Sequence, residues 1–170
     1  MARKSEEKWE PLDSLGVSGE TVAKNIRRMR LERGLAFTEV AEQLSLLGRD
    51  IPTWGLRKIE SGGRRVDVDD LVAIAVVLRT SPASLLMPGI DQVGPTDRVA
   101  IMNAGPVADA NDVWAWLTAQ RFIDSAVGYL EFGSRSWPRW VLVDVERMVG
   151  RTPEERAQIR KDIESDLGMS

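Results

Sequence analysis

The chain contains neither cysteine nor histidine. Without cysteine it has no disulfide, no thiolate nucleophile and no cysteine-based zinc or iron–sulfur site. Without histidine it has no Ser-His-Asp triad and no imidazole that titrates near neutral pH. Any catalysis would have to rely on carboxylates, lysines or hydroxyls. We therefore expect a protein that is not an enzyme, with no catalytic residues, no bound metal and no cofactor.

Long hydrophobic runs are also missing from the 170 residues. Even the longest apolar runs, such as residues 71–78 (LVAIAVVL), fall well short of the roughly 20 residues that a membrane span needs. The N-terminal residues 1–8 are mostly charged and no apolar stretch follows them, unlike a secretory signal. We expect a cytoplasmic protein that does not interact with a membrane.

The charge is distributed unevenly along the chain. The formal net charge is -3, but residues 20–65 carry ten basic and six acidic side chains, a net of +4, and residues 66–170 carry a net of -6. A basic segment before an acidic one indicates a polyanion-binding module beside a region that does not bind polyanions. Basic residues that merely solvate helix faces would give the same count, so charge alone leaves both interpretations open.

Hydrophobic periodicity predicts a mainly α fold with a five-helix bundle and a smaller C-terminal region. The predicted organisation is a flexible N-terminal arm over residues 1–18 with Trp9 as an anchor, a helical domain over 19–89, a linker over 90–112 and a C-terminal region over 113–170.

Caps and apolar spacing predict the five helices of the first domain. Ser18 is expected to cap a helix over 19–33, and Leu44 and Leu47 to point inward from a helix over 37–47. Leu56 and Ile59 are expected to anchor a third helix over 53–60. Asp67 or Asp69 is expected to cap the fourth helix, and Ser81-Pro82 to open a short fifth helix over 83–87.

This order of elements resembles the Cro/C1-type (xenobiotic-response-element, XRE) family of helix-turn-helix regulators of bacteria and phages. The resemblance covers residues 19–87, less than half of the chain, and is carried by the segments IRRMR with RGL (26–30, 33–35), EVAEQL (39–44), LRKIESG (56–62), DLVAIAVVL (70–78) and SPASLL (81–86). The turn GRDIP (48–52) and the segment RRVDVDDL (64–71) look most like regulators of actinobacterial type.

The resemblance implies that helix 53–60 reads the major groove of double-stranded DNA. The residues it implies for base contacts are Thr53, Trp54, Arg57 and Lys58, and those for phosphate contacts are Phe37, Thr38, Arg64 and Arg65. Many family members begin the second helix with Ser/Thr-Gln, whereas this chain has Ala36-Phe37. Phosphate contacts at Phe37 would therefore have to come from backbone N–H groups.

Several of these residues also have purely structural interpretations. Trp54 would contact a thymine methyl group or sugar, or else fasten the helix to its own domain. Gly55 would allow a close backbone approach, or simply be tolerated in the first turn of a helix. Arg64 and Arg65 would bind phosphate, or be solvated in a loop. Asp67, Asp69 and Asp70 are explained better as charges at a helix start than as a metal cluster.

The C-terminal region is predicted to be helical over 113–122 and again from Pro153 to about residue 167, with a β-hairpin over 126–145 as an option. It concentrates seven aromatic residues between positions 113 and 140. We expect it to form a homodimer. The alternatives are a pocket for a small-molecule or protein effector, and a small satellite core without further function.

Together these features predict a sequence-specific DNA-binding transcription regulator, expected to be a repressor. A protein-interaction module, antitoxin-like or anti-activator, is the alternative, and an exposed apolar face on the C-terminal region would favour it.

Overall fold

The computed structural model describes residues 15–123, 126–148, 151–155, 157–158 and 161. It is mainly helical with one small antiparallel sheet, which confirms the predicted fold class at that level. Its elements are α1 (Val17–Glu32), α2 (Phe37–Leu46), α3 (Thr53–Glu60), α4 (Val68–Val77), α5 (Pro82–Leu86), β1 (Arg98–Ala100), β2 (Val107–Asp109), α6 (Ala110–Leu117), α7 (Tyr129–Ser136) and α8 (Arg139–Met148).

The chain divides between Thr118 and Ala119 into two compact units. In the first unit α1 packs against α3 and α5, α2 packs against α3 and α4, and α6 packs against α5 and both strands. The core is aliphatic and is formed by one face of each of the five leading helices together with Ile51, which lies between α2 and α3. Its buried residues include Val22, Ile26, Val40, Leu44, Ile51, Leu56, Ile59, Ile74, Leu78 and Leu85.

The helix starts of α4 and α5 follow the predicted capping chemistry. The carboxylate of Asp67 accepts a hydrogen bond from the backbone N–H of Asp70 at 2.7 Å, which caps α4. The hydroxyl of Ser81 accepts one from the N–H of Ser84 at 3.0 Å, and Pro82 occupies the first position of α5. Short polar side chains at these positions satisfy N–H groups that have no partner within the helix.

Asn25, buried on α1, ties α1 to the end of α5. Its side-chain amide donates to the backbone carbonyls of Leu85 at 3.0 Å and Met87 at 2.8 Å, with a longer contact to Ser84. Carbonyls at the end of a helix lack intrahelical partners, so this amide satisfies groups that would otherwise be buried without a hydrogen bond.

The start of the first helix differs from the prediction. α1 begins at Val17, and Ser18 lies inside it rather than capping it. The Ser18 hydroxyl donates instead to the carbonyl of Ile101, and the N–H of Val17 donates to the Asn103 side chain at 2.9 Å. The loop between the strands therefore replaces the expected local cap. The rest of the predicted arm, including Trp9, lies outside the described residues.

The predicted linker over 90–112 is wrong, because the segment contains β1, β2 and the start of α6. The strands pair with Val99 opposite Ala108, and both of these residues are buried. At the open end of the pair the Arg98 side chain contacts the Asp109 carboxylate at 3.0 Å. Small residues allow close packing here: Ala108 and Ala110 are buried, and a Cβ on Gly105 would lie 2.7 Å from the Cβ of Met102.

The optional hairpin over 126–145 is also wrong, because this segment forms α7 and α8. In this second unit the Trp137 ring packs edge-on against Tyr129, with centroids 4.8 Å apart, and its Nε1 donates to the carbonyl of Ala119. A Cβ on Gly133 would come within 2.4 Å of the Trp137 ring, so the absence of a side chain permits this packing. Tertiary aromatic packing overrides the local β preference.

The predicted final helix lies only partly within the described residues, of which 153–155, 157–158 and 161 are helical. Among the helices that the structure describes, none combines the length and the apolar character required to cross a bilayer.

Candidate nucleic-acid interface

Helix α3 has one buried and one exposed face. Leu56 and Ile59 are 2% and 0% exposed and belong to the core, as predicted. Trp54 is 60% exposed, and Arg57 and Lys58 are exposed as well. Eight residues of helix are thus anchored by two aliphatic side chains and present an aromatic and two cationic side chains to solvent.

Trp54 does not fasten α3 to its own domain, because most of its surface is exposed. The ammonium of Lys58 lies over the Trp54 ring at 5.4 Å from the centroid, within the range of a cation–π contact. Thr53, at the first position of α3, is half-buried. The exposed aromatic surface of Trp54, in the first turn, and the positive charge of Lys58, in the last turn, therefore lie together on the exposed face of the helix.

Phe37, the first residue of α2, supports the cationic side of α3. The guanidinium carbons of Arg57 and Arg30 lie 4.4 Å and 4.1 Å from the centroid of its ring. Arg30 is itself held by Glu60, to which its Nε and Nη2 donate at 2.6 Å and 2.9 Å. This hydrogen bond raises the pKa of Arg30, so the guanidinium stays charged. The ring of Phe37 thus forms cation–π contacts with two arginines, which the sequence did not indicate.

The N-terminus of α2 carries a negative charge of its own. The Glu39 carboxylate accepts a hydrogen bond from the backbone N–H of Ala36 at 2.6 Å. It occupies part of the electropositive helix end at which backbone N–H groups were expected to meet a phosphate. Thr38 next to it is exposed. The negative charge of Glu39 would weaken any phosphate contact at Phe37 and Thr38.

The position of Arg64 differs from the one expected for a solvent-facing phosphate contact. Its Nη2 donates to the Asp70 carboxylate at 2.9 Å, and Asp70 is 1% exposed. A Cβ on Gly55 would lie 3.0 Å from the Arg64 Nη1, so Gly55 leaves room for this guanidinium inside the domain. The neighbouring Arg65 is exposed. Arg64 therefore positions the loop that carries Arg65.

Asp70 has a second arginine partner, which sequence reasoning also missed. The Nε of Arg49, in the turn before α3, donates to Asp70 at 2.6 Å, and its other nitrogens contact Asp67 and Asp69. The hydrogen bond to Asp70 is the main cause that raises the pKa of Arg49. These contacts explain the three carboxylates as an ion-pair network that joins the turn between α2 and α3 to the start of α4.

A cavity of about 600 Å³ in the first unit is lined mainly by aliphatic side chains, among them Val22, Leu71, Leu86 and Met102. An effector pocket was one alternative for the C-terminal region, whereas this cavity lies between the helical domain and the loop that joins β1 to β2.

Comparisons of the chain with protein-family models, curated proteins and solved structures found no match.

Proposed function

We propose that the protein is a sequence-specific DNA-binding transcription regulator, a repressor whose helices α1–α5 form a helix-turn-helix domain of the Cro/C1 type. The observation that carries the proposal is the arrangement of α3, with Leu56 and Ile59 buried and Trp54, Arg57 and Lys58 exposed. A helix anchored in this way can enter the major groove with its exposed face.

In this proposal the exposed residues have separate tasks. Arg57 contacts guanine O6 and N7, Thr53 and Lys58 contact neighbouring bases, and Trp54 packs on a thymine methyl group or a sugar. Arg65 contacts phosphate, and the backbone at Phe37 and Thr38 lies beside the same strand. The ring of Phe37 restricts the Arg57 guanidinium before binding, which lowers the entropy cost of the base contact.

The basic character of residues 20–65, with a net charge of +4, supports binding to a polyanion. Since a single short domain offers few base contacts, we propose that the protein binds as a homodimer to paired half-sites. A two-fold dimer of this class places its half-sites about 34–36 Å apart.

The experiment is a selection of bound fragments from random DNA, followed by titration of the selected site at several salt concentrations. We expect affinity to fall steeply with salt, as phosphate contacts require. Arg57→Ala should reduce discrimination against a changed base by about 1–3 kcal/mol, whereas Arg65→Ala should weaken all sequences alike.

The matched control is Arg135→Ala, which removes one exposed arginine from the second unit. It should leave both affinity and base preference unchanged. If no sequence is enriched, or if Arg57→Ala and Arg65→Ala weaken all sequences equally, the assigned roles are wrong.

A protein-interaction module is the second candidate, and one observation favours it. In the second unit Tyr129, Leu130 and Trp140 are 56%, 44% and 72% exposed. Exposed aromatic side chains of this kind are typical of protein-binding surfaces. This candidate predicts negligible retention on DNA at moderate salt, which the same titration measures.

A further inference from the structure

Helix α4 exposes an apolar stripe to solvent. Val68, Val72 and Val76 are 76%, 49% and 58% exposed, and their spacing of four residues places them along one face. The opposite face, with Ile74, Val77 and Leu78, is buried. The exposed face of a helix usually carries charged or polar residues. Three exposed valines spaced along one face therefore indicate a surface that binds a partner.

The end of α2 extends this surface. Leu46 and Leu47 are 83% and 51% exposed, which corrects the expectation that Leu47 points into the core. A groove of about 450 Å³ is lined by Leu47, Val72 and Val76, among others. Leu47 is the residue that caps the end of α2, and the chain turns directly after it at Gly48, with a φ of +74°.

Opposite charges flank Val72 and Val76 along the helix. Asp69 lies at the N-terminal end of α4 on the same face, with 82% of its side chain exposed, and contacts Arg49 only at 3.6 Å. Arg79 is exposed just beyond the C-terminal end, where its φ of +52° ends the helix. The two residues are ten positions apart, or about 15 Å along a helix axis.

We propose that a second copy of this chain covers the stripe, with the two α4 helices packed antiparallel about a two-fold axis at the level of residue 74. In this register Val72 of one copy lies opposite Val76 of the other. Asp69 of one copy lies opposite Arg79 of the other, and the two-fold axis repeats both contacts. The stripe is thus complementary to itself in both apolar surface and charge.

This self-complementarity favours a second copy of the chain as the partner that binds the α4 stripe. A different partner would have to match a negative end, an apolar centre and a positive end, which this face already does for itself. The inference rests on the proposed function, in which a dimer binds paired half-sites. It places the dimer contact in the helical domain rather than in residues 113–170. The association is measured without DNA, so the two can fail separately.

The experiment is sedimentation equilibrium of the full chain between about 1 and 100 µM, which covers the dissociation of dimers of about micromolar affinity. We expect the wild type to dimerise and Val76→Lys to be monomeric throughout. Trp140→Lys is the matched control, because it introduces the same charge at an exposed apolar position of the second unit. It should sediment like the wild type.

Charge reversal tests the register. Asp69→Arg and Arg79→Asp each place like charges opposite one another twice in the dimer, and each should weaken the association about tenfold or more. The double variant restores opposite charges and should return to within about threefold of the wild type. Far-ultraviolet circular dichroism confirms that each variant is folded.

A wild type that is still monomeric at about 100 µM would overturn the inference, because a dimer of micromolar affinity would be formed at that concentration. Dissociation by Trp140→Lys in place of Val76→Lys would overturn it as well, and so would a double reversal without recovery. A dimer that selects no DNA sequence would remove the proposed function and leave the inference standing.

Discussion

The guanidinium of Arg57 lies over the ring of Phe37, with its central carbon 4.4 Å from the ring centroid. The two residues come from α3 and α2, and a second guanidinium, that of Arg30, contacts the same ring. Arg57 is exposed, so the ring restricts a side chain that would otherwise sample many rotamers in solvent. The contact links the first residue of α2 to the exposed face of α3.

Replacing Phe37 with Leu should lower base discrimination at the position that Arg57 reads by about two- to tenfold, because an unrestricted side chain loses more rotamer entropy on binding. Phe37→Tyr keeps the ring and should behave like the wild type. Fluorescence anisotropy titrations on the selected site and on a single-base variant measure the ratio. Equal discrimination in all three proteins would show that the ring does not position Arg57.

Replacing Glu39 with Gln should tighten binding to all DNA sequences by about two- to fivefold. The change removes a negative charge from the N-terminal turn of α2, where such charges interact most strongly with a nearby anion. Glu42→Gln is the matched control, since it removes the same charge from an exposed position one turn further along. A gain of the same size in both variants would reflect net charge alone.

Replacing Arg64 with Met should lower the free energy of unfolding by about 1–2 kcal/mol, because the buried Asp70 carboxylate loses one of its two arginine partners. The partial exposure of Arg64 keeps the loss below that of a fully buried pair. Arg27→Met removes an exposed arginine and should change stability by less than about 0.5 kcal/mol. Urea denaturation measures both variants. Unchanged stability in Arg64→Met would contradict the structural role of Arg64 and favour the prediction that it contacts phosphate.

The free energy of unfolding should depend on pH through the ionisation of Asp67. The hydrogen bond from the N–H of Asp70, and then the charge of Arg49, lower the pKa of Asp67 in the folded state. Its carboxylate therefore stabilises the fold above the unfolded pKa, about 3.9, and this stabilisation is lost as the pH falls through the lowered folded pKa.

Asp67→Asn tests this dependence, since asparagine still caps a helix but cannot ionise. The difference in unfolding free energy between wild type and variant should be constant from neutral pH down to about pH 5 and should shrink below about pH 4. Denaturant unfolding at a series of pH values measures it. A difference that does not change with pH would contradict the assigned pKa shift.

Much of the first unit could be predicted from the sequence. The bounds of α3, the burial of Leu56 and Ile59, and the caps Asp67 and Ser81 agree with the structure. Each depends on residues close together in the chain: apolar spacing, a cap and the turn that follows. The exposure of Arg57 and Lys58 follows from the same spacing, because a helix with one buried face must expose the other.

Contacts between distant residues could not be predicted in this way. Arg64 was predicted to contact phosphate or to be solvated in a loop, yet its guanidinium binds the buried Asp70 carboxylate and lies beside Gly55. Phe37 stands at a position where many members of the resembled family have a polar residue, and its contacts with Arg30 and Arg57 were visible only in the tertiary structure.

The sequence by itself determined where the first five helices lie and which faces of α3 are apolar and which polar, because helix periodicity and capping act over a few residues. Tertiary structure alone decided that residues 98–109 pair as strands while 129–148 form helices, and that Asp70 is buried between two arginines. Those outcomes depend on what packs against each segment, and local preference is too weak to overrule burial.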